Sequence, residues 1–340
     1  MSITEKNRLL DTLNNIQTDR PAVISPGGMM DAVVTDTLVK SGIEFPKVHA
    51  DPALIEDLAL AVHHSTGFEN FGLPFCMTIE AEVLGSEINY GNSICVPKIT
   101  MEPFKSVEEV NFLSVKNAVL EGRVPALASA IKSLAKNNRD IPVVATITGP
   151  ISLAMSLVDP QSFLKELYRK PKAAHSVLDY ASEFLEAYVH VLAENGATVI
   201  AIADPSATGE ILGARLFREY ALPQLNRVTE AARRAGLPVI IHICGNVNAI
   251  KPIFPELKAE AISLDSVVSL RQLKQEYPAL KLMGNVSTYL LEFGQASKVS
   301  TATRNLVEEK IEIISPACGL SISTPLTNIQ ALTTAVKNPN

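Results

Sequence analysis

Eight short apolar runs alternating with helical stretches predict an α/β protein built as a (β/α)8 TIM barrel. Three observations carry this reading. The runs are rich in Val and Ile and end at Gly, Pro, Asp or Asn, as strands buried on both faces of a parallel sheet do. Amphipathic segments of helical length lie between them. No Gly-x-Gly-x-x-Gly follows an early strand, which removes support for a dinucleotide-binding open sheet, the alternative architecture.

The runs cover 21–25, 71–79, 142–148, 197–203, 238–243, 261–264, 280–284 and 311–315. Among the helices, 52–65 opens on Pro52, suited to a first turn, and stops before Gly67. The stretch 173–195 ends at Gly196 and 216–235 ends at Gly236, both placed as helix C-caps. The 340 residues exceed the roughly 250 of a typical barrel. The surplus falls into an N-terminal helical extension, 1–20, and an insertion after the second strand, 80–125. No linker or repeat divides the chain, so a single domain over 1–340 is expected.

Composition narrows the function. The chain is 47% hydrophobic and 19% charged, with a net charge of −6 and no long basic run, which argues against a nucleic-acid surface. The polar N-terminus and the lack of an apolar run near 18 residues argue against export and membrane spanning, so a cytoplasmic protein is expected. In that setting Cys76, Cys95, Cys244 and Cys318 read as thiols or ligands, with no disulfide.

Two of these cysteines lie in a metal-binding pattern. His242 and Cys244 are two apart on a strand, so their side chains point the same way. Cys318 follows the eighth strand, and in a barrel the C-terminal ends of all strands share one rim. A His/Cys/Cys set with an open fourth position is a catalytic zinc constellation, and thiolates select zinc over magnesium or calcium. The same rim collects Met29 and Met30 after strand one, Glu80 and Glu82 after strand two, Asp204 after strand four, Asp265 after strand six and Asn285 after strand seven. Glu80 and Glu82 flank Ala81, so on an extended segment both face one side, and one of them is a candidate fourth ligand. Asp204 and Asp265 end apolar strands, where each either caps a helix or performs acid/base or hydrogen-bonding work above the metal. Asp204 and Glu80 are the candidate catalytic groups; Met29, Met30, Glu82, Asn285 and Asp265 are candidates for substrate binding.

The motifs His242-Ile-Cys-Gly245, Gly284-Asn-Val286, Ala203-Asp-Pro205, Phe75-Cys-Met-Thr-Ile-Glu-Ala-Glu82 and Ser315-Pro-Ala-Cys-Gly319 followed by Thr324-Pro-Leu-Thr-Asn328 carry a resemblance over nearly the whole chain. It resembles the corrinoid-linked methyltransferases of the uroporphyrinogen decarboxylase superfamily. That resemblance implies a (β/α)8 barrel with zinc on His242, Cys244 and Cys318, and a corrinoid (cobalamin) carried by a partner protein that docks at the barrel mouth. The decarboxylase itself fits less well, because 23–30 contains no arginine to grip substrate carboxylates. Two reactions remain. In the donor-side, O-demethylase type, a methyl group passes from a small methyl ether to the cobalt. In the methylcobamide:coenzyme M type, it passes from the methyl-corrinoid protein to a zinc-bound thiol. The Pro26–Met30 loop and 207–212 favour the donor-side reaction, with the methionine pair facing an aromatic ring.

Overall fold

In the computed structural model, which describes residues 3–92 and 95–338, all eight apolar runs contain strands of one parallel sheet. In chain order the strands are β1 (Ala22–Val23), β2 (Phe71–Leu73), β3 (Glu87–Asn89), β4 (Lys98–Met101), β5 (Val143–Thr148), β6 (Val199–Ala203), β7 (Val239–Ile243), β8 (Ala261–Leu264), β9 (Leu282–Met283) and β10 (Ile313–Ile314). The large sheet runs β1-β10-β9-β8-β7-β6-β5-β2, and β3 and β4 form a separate antiparallel hairpin. β5 to β8 are buried at every residue, so their apolar runs are continuous and do not alternate.

The sheet curls until its edge strands meet. Glu69 N donates to Val23 O at 2.8 Å. The Asn70 side chain donates to Ser25 O at 2.8 Å and accepts from Ser25 N at 3.0 Å. Gly72 permits this approach, since a Cβ there would lie 2.3 Å from Ser25 O. Inside the curl, Ile24, Val144, Val199, Ile240 and Met283 form a cluster with Leu9 and Leu13 of the N-terminal helix Glu5–Leu13. That helix lies at the N-terminal end of the strands, where Lys281 Nζ donates to Leu13 O at 2.7 Å.

Two elements depart from the sequence expectation. The second strand ends at Leu73 instead of running to residue 79, because Pro74 has no N–H for a ladder. The chain then turns into a helix, Ile79–Val83, and Glu80 and Glu82 lie on helical backbone. The expected helix 216–235 begins earlier, at Gly213, and passes through a π-helical turn, Phe217–Ala221, before continuing as Leu222–Arg234. Pro223 explains that break, since a proline inside a helix removes one backbone donor. No helix among the described residues is long and apolar enough to cross a membrane.

Candidate metal centre

His242 is the penultimate residue of β7, in register with Ser263 of β8. Its Nδ1 is 2.9 Å from Ser263 Oγ, and its Nε2 is 2.9 Å from Cys244 Sγ. Cys244 Sγ is 3.1 Å from Cys318 Sγ, and both cysteines are free thiols. The three ligand atoms lie within 4.8 Å of one another. Cys318 reaches this point from beyond β10, in a turn where Ala317 N donates to Val286 O at 2.8 Å.

The loop after β1 closes over the cluster. Gly27 and Gly28 take φ values of +96° and +58°, which an L side chain resists. The resulting turn sets Met29 Sδ 3.9 Å from Cys244 Sγ and Met30 Sδ 3.9 Å from Ser263 Oγ. Gly319 lets this loop settle, because a Cβ there would lie 2.3 Å from Met29 O.

The donor set suits a zinc ion. Atoms bonded to one tetrahedral zinc at about 2.0–2.3 Å lie within about 4 Å of one another, so three soft ligands this close need little movement. The hydrogen bond from Cys244, helped by His242, holds the Cys318 thiol below its ordinary range. The same bond, together with burial, pushes the Cys244 thiol up. Ser263 fixes the ring nitrogen facing away from the sulfurs, leaving Nε2 for the ion.

The other rim residues divide. Asn285 Nδ2 donates to Asp265 O and Val268 O, each at 2.8 Å. Asp265 accepts from Val267 N at 3.1 Å and, at 3.4 Å, from the N–H of Gly245, the residue after Cys244. Asn285 and Asp265 thus brace the loop that carries a sulfur ligand; Ser269, not Asp265, caps the following helix.

Glu80 and Glu82 do not face one side, because residues two apart on a helix diverge. Glu80 is buried and accepts from Thr148 N at 2.7 Å; burial pushes its carboxyl up toward the neutral form. Glu82 binds Arg123 and the Tyr90 hydroxyl. Neither belongs to the metal-competent group found among the described residues.

Asp204 is fully buried and caps the helix Pro150–Leu157, which follows β5 and not its own strand. It accepts from Ile151 N at 3.1 Å, Ser152 N at 2.9 Å and Ser152 Oγ at 2.6 Å, and burial raises its carboxyl to about 6. These contacts make it an internal anchor between β6 and the helix after β5. Sequence reasoning missed Ser263 and Arg123. A serine inside Ala-Ile-Ser-Leu was the available signal for the first; the second had none.

Residues 4–339 match the uroporphyrinogen decarboxylase (URO-D) family. The chain belongs to that family. Within it, the chain is 30% identical over 337 residues to the methylcobamide:CoM methyltransferase MtaA of Methanosarcina barkeri, covering 98% of this chain and 97% of that protein. It is also 30% identical over 338 residues to MtbA of Methanosarcina acetivorans, another methylcobamide:CoM methyltransferase, covering 98% of both chains. A solved structure of a methyltransferase from Methanosarcina mazei superposes with a TM-score of 0.92 at 30% identity, covering 99% of each chain. The enzyme class expected from the sequence agrees with these relatives.

Proposed function

We propose that this protein is a zinc-dependent methyltransferase working, as one (β/α)8 barrel domain, between the cobalt of a corrinoid protein and a small thiol. The observation that carries this reading is the convergence of His242 Nε2, Cys244 Sγ and Cys318 Sγ within 4.8 Å at the ends of β7 and β10. Relatives at 30% identity name a thiol, CoM, as the partner substrate, which favours sulfur over ether oxygen. The decarboxylase reading loses further ground, because the arginines flanking the first strand are committed elsewhere. Arg8 and Arg20 both pair with Glu69, at 2.9 and 2.5 Å.

Zinc held by the three ligands supplies Lewis acidity, lowering a thiol's pKa so that it is presented as the nucleophile. The chain's residues do the rest. Ser263 holds the His242 ring in the tautomer that turns Nε2 to the ion. Asp265 and Asn285 keep Gly245, and with it Cys244, in place. Met29 and Met30 form a thioether wall that excludes water and accommodates an apolar methyl group. The corrinoid protein covers this end of the strands, where the methyl group must cross.

That same wall favours a second reading, in which the donor is an aryl methyl ether and the methyl group moves to cobalt. One assay separates the two: methylcobalamin with 2-mercaptoethanesulfonate, beside cob(I)alamin with methoxybenzoates, each followed by the corrinoid absorbance. Thiol-dependent loss of methylcobalamin is the expected result. Turnover confined to the ether arm would move the assignment to the second reading, and silence in both arms with zinc bound would overturn the proposal.

A further inference from the structure

Cys76 takes no part in the metal centre, yet its surroundings are not those of an inert core cysteine. It lies in the turn between β2 and the helix Ile79–Val83 and is 4% exposed. Two donors meet its sulfur: Arg123 Nη1 at 3.3 Å and the Thr78 hydroxyl at 3.5 Å. Arg123 Nη2 also donates to Thr78 Oγ1 at 2.8 Å, which occupies one of that oxygen's lone pairs while its proton is donated to the sulfur. The guanidinium is held in turn by Glu82 and lies over the Tyr90 ring, 5.1 Å from its centroid. A sulfur facing a fixed guanidinium and a directed hydroxyl is arranged to carry negative charge.

The second observation is a space beside it. Cys76 lines a small internal cavity with Pro74, Phe75, His49, Ile79 and Arg123. The volume open to the centre of a water molecule is about 10 Å³, room for one small molecule. His49 borders the same cavity, is 4% exposed, and its Nε2 has no hydrogen-bond partner. An unpartnered buried nitrogen is costly unless something occupies the space it borders.

We propose that Cys76 is a peroxide-reactive cysteine, oxidised to a sulfenic acid by hydrogen peroxide admitted to this cavity. The thiolate sulfur attacks one peroxide oxygen, and an S–O bond forms as the O–O bond breaks. The departing hydroxide takes a proton and leaves as water; the sulfur is oxidised by two electrons and the peroxide reduced by two. Arg123 and Thr78 hold the sulfur's charge before attack, and His49 Nε2 offers a hydrogen-bonding site to the peroxide.

The test uses zinc-loaded protein treated with stoichiometric hydrogen peroxide in the presence of a dimedone-type sulfenic acid probe, with the label located by mass spectrometry. Cys76 should be labelled ahead of Cys95, although Cys95 is exposed and Cys76 is buried. Thr78→Val should slow labelling of Cys76 about tenfold, the scale of one lost hydrogen bond. If Thr78→Val does not fold, Arg123→Lys serves, keeping the charge but removing the paired donors, with the same slowing expected. Labelling of Cys95 with Cys76 unmodified in the folded protein would overturn the proposal, as would a Cys76 rate unchanged in a folded variant.

Discussion

The rim at the C-terminal ends of the strands has two unlike sides. On the β7–β10 side, His242, Cys244 and Cys318 turn their ligand atoms toward one another, with the Ser263 hydroxyl on the far side of the ring and the Met29 thioether beside Cys244. On the β2–β6 side, every acidic candidate is already spent. Glu80 accepts a backbone N–H, Glu82 holds Arg123 and Tyr90, and Asp204 caps a helix. Both sides carry residues of functional type, so type alone does not mark a site. Unspent ligand capacity does. The soft side can bind an ion at little cost in broken contacts, whereas freeing a carboxylate on the other side would leave buried donors unpaired, at about 1–3 kcal/mol each.

The strongest way to break this contrast is to remove one ligand from the soft side. Cys318→Ala should lose bound zinc and lower methyl transfer at least about a thousandfold, while the thermal midpoint of the metal-free protein moves little. Metal analysis beside the corrinoid assay checks it. On the spent side the pattern should invert. Asp204→Ala should cost about 2–4 kcal/mol of stability, from a lost helix cap and orphaned donors, yet leave zinc content intact. Denaturant melts of the metal-loaded variant measure this.

The same carboxyl makes a pH prediction. Its folded value, about 6, lies above its ordinary 3.8, so the folded protein holds this proton more tightly than the unfolded chain. That contribution is full at low pH and is lost as pH rises through about 6. Relative to Asp204→Asn, the wild type should lose on the order of 2–3 kcal/mol between roughly pH 4 and pH 6.5. A flat difference would mean that the three donors to Asp204 keep it ionised throughout. The smallest effect sharpens the soft side from outside: Ser263→Ala should weaken zinc binding about 10–100-fold by freeing the His242 ring, with the ligands themselves unchanged. Competition with a chelator reads it directly.

Much of this was legible in the sequence. Strands buried on both faces read as unbroken apolar runs, so all eight were found. Period two placed His242 and Cys244 together, and a sheet curled into one rim brought in Cys318 from three strands away. What escaped depends on long-range partners. Phe75 to Ile79 is apolar and β-branched enough to pass for strand, and only the turn at Pro74 shows that Glu80 and Glu82 diverge. Asp204 is spent on Ser152, 52 positions earlier. Ser263 faces His242 through a cross-strand register that no local pattern encodes.

The account rests on the three ligands holding an ion with one position for the substrate's sulfur. Zinc K-edge X-ray absorption of the loaded protein, before and after addition of thiol, tests it most directly. Two sulfur ligands and one imidazole before thiol, and three sulfurs after it, are the predicted result. A sulfur count that stays at two on saturation with thiol, or a zinc shell with no sulfur at all, would contradict it.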